Sequence, residues 1–508
     1  MVKRFSFLGF LERIGNLLPH PAMIFIYLTI ALFIGSAIAS HFELSIMFNE
    51  KQIVIKNLMS FESFVEFTSN FVNNFAKFPP LAIVLVAMLG ISIAEYSGFL
   101  KTGIKLLILK APKTLVSFFI VLTGVLSNIA SDVGYVILIP LAAMVFHSVG
   151  RHPLAGLAAG FAGVSGGYSA NLVISTTDPL LAGITQSAAQ LIDASYTVGP
   201  EANYYFMFVS TFLITIIGTI VTEKIVEPRL GKYNDDNEES KSTQKQLEEI
   251  SRPEKRAFYY ALLGLMCYVI LVLILILPQD SLFRNPQTGS LIKSPFIDSL
   301  LFFVFFLFAI PGAIYGFVSK SFKTSTDLIH AMSDGMKTMG MYLTIIFFAA
   351  QFIALFAQSN IGQFTAIKGA IFLESLNIDS GLLILLFIAL CACINLAVAS
   401  ASAQWALISP VFVPMFMLLG YSPELIQAAY RIGDSTTNII TPLLVYLPMI
   451  LSFAMKYKKD CGVGTMISLM LPYSISFFVA WSALLYIWVF VLNIPLGPGV
   501  ENFLTLLQ

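Results

Sequence analysis

Charge is scarce in this chain. Of 508 residues only 11% are Asp, Glu, Lys or Arg, whereas 57% are hydrophobic. A globule in water needs a polar skin that so few charges cannot supply, which excludes a soluble fold and makes the bilayer the fitting solvent. The formal net charge is zero, so nothing draws a polyanion and a nucleic-acid partner is excluded. Cysteine is nearly absent. Cys391 and Cys393 share an apolar run with no histidine nearby, and Cys267 and Cys461 stand alone; these read as packing residues rather than metal or redox groups. The five histidines (His20, His41, His147, His152 and His330) lie scattered near loops without ligand spacing. No phosphate-cradling Gly-rich motif ending in Gly-Lys-Ser/Thr occurs, which argues against ATP driving. No resident cofactor is expected. The opening Met1 to Asn16 carries Lys3, Arg4, Glu12 and Arg13, too polar for a cleaved signal.

Long apolar runs fill the rest. A span needs about 20 mostly apolar residues. Nine candidates lie near 21–42, 79–98, 153–186, 203–226, 257–278, 296–318, 338–358, 423–456 and 465–495. Two more apolar stretches, 114–147 and 381–418, are interrupted midway by Ser127-Asn128-Ile129-Ala130-Ser131-Asp132 and by Ala399-Ser400-Ala401-Ser402-Ala403-Gln404. Each half is too short to cross, so both read as re-entrant hairpins whose non-helical tips line a wet cavity or lie under protein. With the N-terminus inside and the C-terminus outside, 22 lysines and arginines fall on the inner side and six outside, leaving Arg431 in the membrane. That is the cytoplasmic excess of a bacterial inner-membrane protein. Counting a hairpin as a crossing would invert every later loop.

The halves resemble each other. A shift of 270 residues places Tyr135 on Trp405, Pro140 on Pro410, Phe146 on Phe416, Gly150 on Gly420, Pro153 on Pro423, Gly163 on Gly433 and Ser165 on Ser435. Each half reads span, span, hairpin, broken span, span. One connecting span makes the crossings between halves odd, so the second half is inverted. The expected organisation is a first repeat over 1–223, a hydrophilic cytoplasmic linker over 224–256, a connecting span over 257–278 and an inverted repeat over 279–508. The fold class is therefore an all-α polytopic membrane protein with nine transmembrane helices and two re-entrant hairpins. Inverted repeats with discontinuous helices and a midplane site are the architecture of secondary transporters.

Charges inside hydrocarbon are costly and mark function. They are Glu95, Asp132, Asp178, Arg431 and Asp434. Glu95, near a span end, reads as an interfacial acid, and Asp178 as lying near the outer end of its span. Gly433 and Pro442 disfavour continuous helix around Arg431 and Asp434. Arg431 suits a carboxylate held by two parallel hydrogen bonds; the alternative is a self-neutralising Arg431–Asp434 pair at i,i+3. Asp434 with Asn395 suits Na⁺ or, for the acid, a proton, so Asp132, Asn395 and Asp434 are candidate ion-coupling residues, with possible sodium at Asn395 and Asp434. Candidate substrate-binding residues are Asn128, Ser131, Asn171, Asp178, Ser400, Ser402, Trp405, Arg431 and Pro442. Trp405 reads equally as a stacking surface for an aromatic ligand and as a packing residue.

At these residues the chain resembles the p-aminobenzoyl-glutamate transporter (AbgT) family. The likeness shows in Glu12-Arg13-Ile14-Gly15-Asn16 with Pro19-His20-Pro21, and in Val149-Gly150-Arg151-His152-Pro153. It continues in Ala170-Asn171-Leu172 with Thr176-Thr177-Asp178, in Glu227-Pro228-Arg229-Leu230-Gly231, in the Phe412–Gly420 stretch and in Arg431-Ile432-Gly433-Asp434-Ser435. The resemblance implies a homodimer with nine spans and two hairpins per protomer. It implies ion-driven uptake of p-aminobenzoyl-glutamate, a small aromatic carboxylate; the alternative is antiport exporting sulfonamide-type antimetabolites. It also implies importance for Asp178, Asn395, Ser400 or Ser402, Trp405, Pro414, Arg431, Asp434 and Pro442. The stretch before Trp405 lacks the glycine that some members carry, which leaves ligand and direction open.

Overall fold

The computed structural model describes residues 21–48, 51–109, 111–130, 134–233, 250–291 and 294–504. The hairpin-tip candidates Ser131 and Asp132, the N-terminal motif before Pro21 and residues 234–249 of the 224–256 linker lie outside the described residues. The unbroken spans are helices Pro21–His41, Pro79–Ser97, Tyr204–Val221, Arg252–Ile276, Leu300–Ser319, Gly340–Gln358 and Val463–Tyr486. At about 1.5 Å rise per residue each is long enough to cross hydrocarbon upright or tilted. Two further crossings are broken. Helix Pro153–Phe161 runs into a π turn at Ala162–Gly166 and stops, and helix resumes only at Thr177–Ala189. Helix Pro423–Thr437 likewise stops before Leu447–Met455. The breaks fall at the Gly166-Gly167 pair and around Pro442, where the backbone least favours helix.

Both hairpins turn back. The first has arms Val116–Ser127 and Ile139–Ser148, the second Ser380–Asn395 and Ala401–Leu418. Just beyond the first hairpin, Arg151 Nη1 donates to Ser117 Oγ at its start (2.9 Å). Just beyond the second, Tyr421 Oη donates to the Ser380 carbonyl at its start (3.2 Å). Near the second tip, Gln404 Nε2 donates to the Cys391 carbonyl of the opposite arm (2.8 Å). Entry and exit of each hairpin therefore lie on the same side, and Arg151 and Tyr421 are 270 residues apart.

The repeat recurs in backbone detail. Gly150 and Gly420 both end a hairpin with positive φ, 76° and 87°. Arg151 N–H donates to the Phe146 carbonyl (2.8 Å) and Tyr421 N–H to the Phe416 carbonyl (3.0 Å), the same helix-closing bond in each half. Gly163 and Gly433 both seat a broken span against the first arm of its hairpin. A Cβ on Gly163 would lie 2.5 Å from the Val121 carbonyl oxygen, and one on Gly433 2.6 Å from that of Ile388. Spans pair by exchange: Pro21–His41 packs on Gly340–Gln358, as Leu300–Ser319 packs on Pro79–Ser97.

Two amphipathic helices obey the same exchange. Phe61–Ala76 packs on Gly340–Gln358 and Ser325–Thr338 on Pro79–Ser97. Neither was anticipated, because both are too polar and short to register as spans. A small antiparallel ribbon, Ser45–Phe48 with Lys51–Val54, follows the first span.

Gly163→Ala and Gly433→Ala should each force a hairpin off its broken span, because the atom met is backbone and cannot rotate away. Fluorescence-detected size exclusion should show loss of the monodisperse species for both. Gly150→Ala, whose Cβ meets nothing within 4 Å, should cost only about 1–2 kcal/mol from left-handed strain.

Candidate functional site

The hairpin tips and the two breaks converge. A cavity of about 390 Å³ is lined by Asn128 and Tyr135 of the first hairpin, Tyr168, Thr176 and Thr177 of the first break, and Ala399–Ser402 at the second hairpin tip. Asn438 and Tyr446 of the second break complete the inner wall. Val84, Met88 and Glu95 from one face of Pro79–Ser97, together with Thr338, Met339 and Tyr342, carry the wall outward along that span. Ser400 begins helix Ala401–Leu418, and no side chain caps that end. Its free N–H groups and dipole favour an anion.

Behind the cavity lies a buried polar layer. Arg431, on Pro423–Thr437, forms an ion pair with Asp178 in the first turn of Thr177–Ala189 (2.8 Å), with side chains 1% and 5% exposed. Arg431 Nη2 also donates to the Ser169 carbonyl (2.6 Å), while its Nε has no partner. The other oxygen of Asp178 accepts from Asn171 Nδ2 (2.6 Å), Ser175 N–H (2.7 Å) and Ser175 Oγ (3.0 Å). Four donors thus converge on one carboxylate and hold it in place. Ser169 N–H donates to Ser435 Oγ (3.2 Å), a second tie between the breaks.

One helical turn from Arg431, Asn395 meets Asp434. Asn395 Nδ2 lies 2.7 Å from the Asp434 carbonyl oxygen, 3.0 Å from Thr437 Oγ1 and 2.8 Å from Asn438 Oδ1. Asn395 Oδ1 and Asp434 Oδ2 are buried without a partner. A buried, oxygen-rich cluster with orphaned acceptors suits a hard monovalent cation or a proton.

Trp405 is fully enclosed. Its ring stacks on Tyr430 (4.4 Å between centroids, 20°), and its Nε1 donates to Thr185 Oγ1 (2.9 Å). Thr185 Oγ1 lies 2.6 Å from Gln427 Oε1, and Gln427 Nε2 donates to Asn203 Oδ1 (3.0 Å). This chain of buried bonds pins the second hairpin to both broken spans.

The model of the AbgT transporter family matches residues 6–504. The chain belongs to the AbgT family. It is 36% identical to the p-aminobenzoyl-glutamate transport protein of Escherichia coli K12 over 495 residues, 97% of this chain and 96% of that protein. It is similar to the Neisseria gonorrhoeae MtrF structure, described within a class of antimetabolite efflux pumps. The TM-score is 0.92 at 50% identity, covering 98% of this chain and all of that one. The YdaH transporter of Alcanivorax borkumensis superposes with a TM-score of 0.90 at 42% identity, covering 94% and 100%. The chain is thus a multi-pass membrane protein with the inverted-repeat fold of AbgT secondary transporters.

Placed on this fold, the sequence candidates separate into layers. Asn128, Ser400 and Ser402 line the cavity. Asn171, Asp178, Asn395, Arg431 and Asp434 form the polar layer behind it, and Pro442 lies in the second break. One reading changes. Arg431 pairs with Asp178 of the other half and not with Asp434, because the two broken spans face each other. Asp178 is buried in the first turn of the helix that follows the break. Glu95, near the end of its helix, lines the cavity as well. The ring of Trp405 faces Tyr430, so no ligand reaches it in this conformation. The cavity tyrosines Tyr135, Tyr168, Tyr342 and Tyr446 went unremarked as site residues; only the match of Tyr135 to Trp405 in the repeat pointed to one of them.

Asp178→Ala strands a guanidinium and three donors, so it should destabilise more than Arg431→Met, which leaves Asp178 its other donors. The expected loss for Asp178→Ala is about 3–5 kcal/mol. The double variant Asp178→Leu/Arg431→Met should recover the part due to the stranded guanidinium, because the Asn171 and Ser175 donors stay unpaired. Thermal unfolding of purified protein in detergent measures all three.

Proposed function

We propose that the chain is an ion-gradient-driven secondary transporter of a small aromatic carboxylate, with p-aminobenzoyl-glutamate the substrate to test first. The cavity where both hairpin tips meet both breaks carries the reading. Its size suits a ligand of this class, its aromatic wall suits a ring, and the uncapped helix start at Ser400–Ser402 suits a carboxylate. Arg431 is the second anion-binding group, reached by the ligand when the breaks separate and Asp178 withdraws. Asn395 and Asp434 hold the coupling ion, Na⁺ or H⁺, at the same break, so that loading the ion and opening the Arg431 pair act on one element. The name of the Escherichia coli relative supports this substrate.

The protein sits in the bacterial inner membrane with its N-terminus cytoplasmic and its C-terminus periplasmic, as the lysine and arginine distribution favours. The Glu95 end of the cavity then faces the cytoplasm. The working unit is a homodimer, the state that the family resemblance favours. Export of sulfonamide-type antimetabolites by ion antiport is the second reading, favoured by the 50% identity to MtrF.

Proteoliposomes loaded at fixed pH and exposed to an inward Na⁺ gradient, or Na⁺-free with an inward H⁺ gradient, separate these possibilities. Uptake of labelled p-aminobenzoyl-glutamate under one of the two gradients is expected. Asp434→Asn should remove the accumulation while leaving folded protein. No uptake under either gradient, with lowered sulfonamide accumulation in expressing cells, would favour export.

A further inference from the structure

Two aromatic stacks stand 270 residues apart in the hairpins' second arms. In the second hairpin Trp405 lies on Tyr430, and both are fully buried. In the first, Tyr135 lies on Tyr446 with centroids 4.2 Å apart and planes 18° from parallel. The repeat register pairs Tyr135 with Trp405, but it pairs Tyr430 with Gly160. The first half therefore has no ring at the position equivalent to Tyr430. Gly160 is instead filled by Ala142 and Ile139, so closely that a Cβ there would sit 3.2 Å from Ala142 Cβ. Tyr135 finds its partner across the pseudo-twofold in Tyr446, at the second break, and that pair lines the cavity.

We infer that the Tyr135–Tyr446 stack is the subsite that selects a planar aryl ring in the transported solute. The inference rests on the proposed function and names the ring-recognition element of its cavity. Trp405 is sealed away from the cavity, whereas its repeat mate Tyr135, 5% exposed, lines it with Tyr446. Tyr168 and Tyr342 add further aromatic surface to the same cavity. Aromatic faces favour offset or edge contact with another ring over contact with an aliphatic group of equal size. Because the stack joins the first hairpin to the second break, a ring bound on it bridges both halves. A saturated ring fills the same volume without this preference.

The test compares binding of benzoyl-glutamate and its saturated counterpart, cyclohexanecarbonyl-glutamate, to the full-length protein. The unsubstituted protein should prefer the aromatic ligand by about tenfold. Tyr135→Leu should reduce that preference to about twofold or less, and Tyr135→Phe should restore it, because the stack needs the ring and not the hydroxyl. Size exclusion checks that each variant is a single folded species. Tyr135→Leu protein that keeps the tenfold preference overturns the inference while leaving the substrate reading intact. Unsubstituted protein that binds neither ligand removes the substrate reading, and this inference with it.

Discussion

The Arg431–Asp178 ion pair is the constraint around which the rest is arranged. It joins the two broken spans, one from each repeat, with both side chains buried. A guanidinium and a carboxylate taken from water separately would each cost several kcal/mol. Together they are tolerable because each neutralises the other and Asn171, Ser175 and the Ser169 carbonyl add hydrogen bonds. Those partners exist only because helix stops at Gly166-Gly167 and leaves backbone groups unspent. The breaks, the charges and the hairpins that cover them are thus one design: each would be unfavourable in a membrane without the others.

The halves share a backbone plan but divide the chemistry. The glycines at 163 and 433 seat equivalent helices, and those at 150 and 420 close equivalent hairpins. The charges are not shared. Arg431 and Asp434 stand where the first half has Phe161 and Val164. The second half therefore supplies the guanidinium and the buried Asn395–Asp434 cluster, and the first supplies the carboxylate that holds the guanidinium. Close packing explains why such a molecule would switch between discrete arrangements rather than deform smoothly. Glycines that let backbones approach within contact leave little room for intermediate positions.

Much of this was legible beforehand. The interruptions at Ser127–Asp132 and Ala399–Gln404 betray hairpins because polar runs cannot sit in lipid-facing helix. The 270-residue register survives because turn glycines and helix-starting prolines have few substitutes. The amphipathic helices Phe61–Ala76 and Ser325–Thr338 escaped notice, since a search for 20 apolar residues passes over segments that lie along a surface. The partner of Arg431 was also hidden. Asp434 is near in sequence and Asp178 is 253 positions away, and only the facing of the two breaks makes the distant acid the neighbour.

Composition and pattern alone determined that the chain crosses a bilayer, where it crosses and where it turns back. These follow from the cost of exposing polar groups to hydrocarbon, a penalty written residue by residue. Tertiary structure decided which charge meets which, that Trp405 is sealed while Tyr135 faces the cavity, and that Glu95 turns inward. Those outcomes depend on how helices face one another across a pseudo-twofold, and facing is a property of packed surfaces that no local run of residues contains.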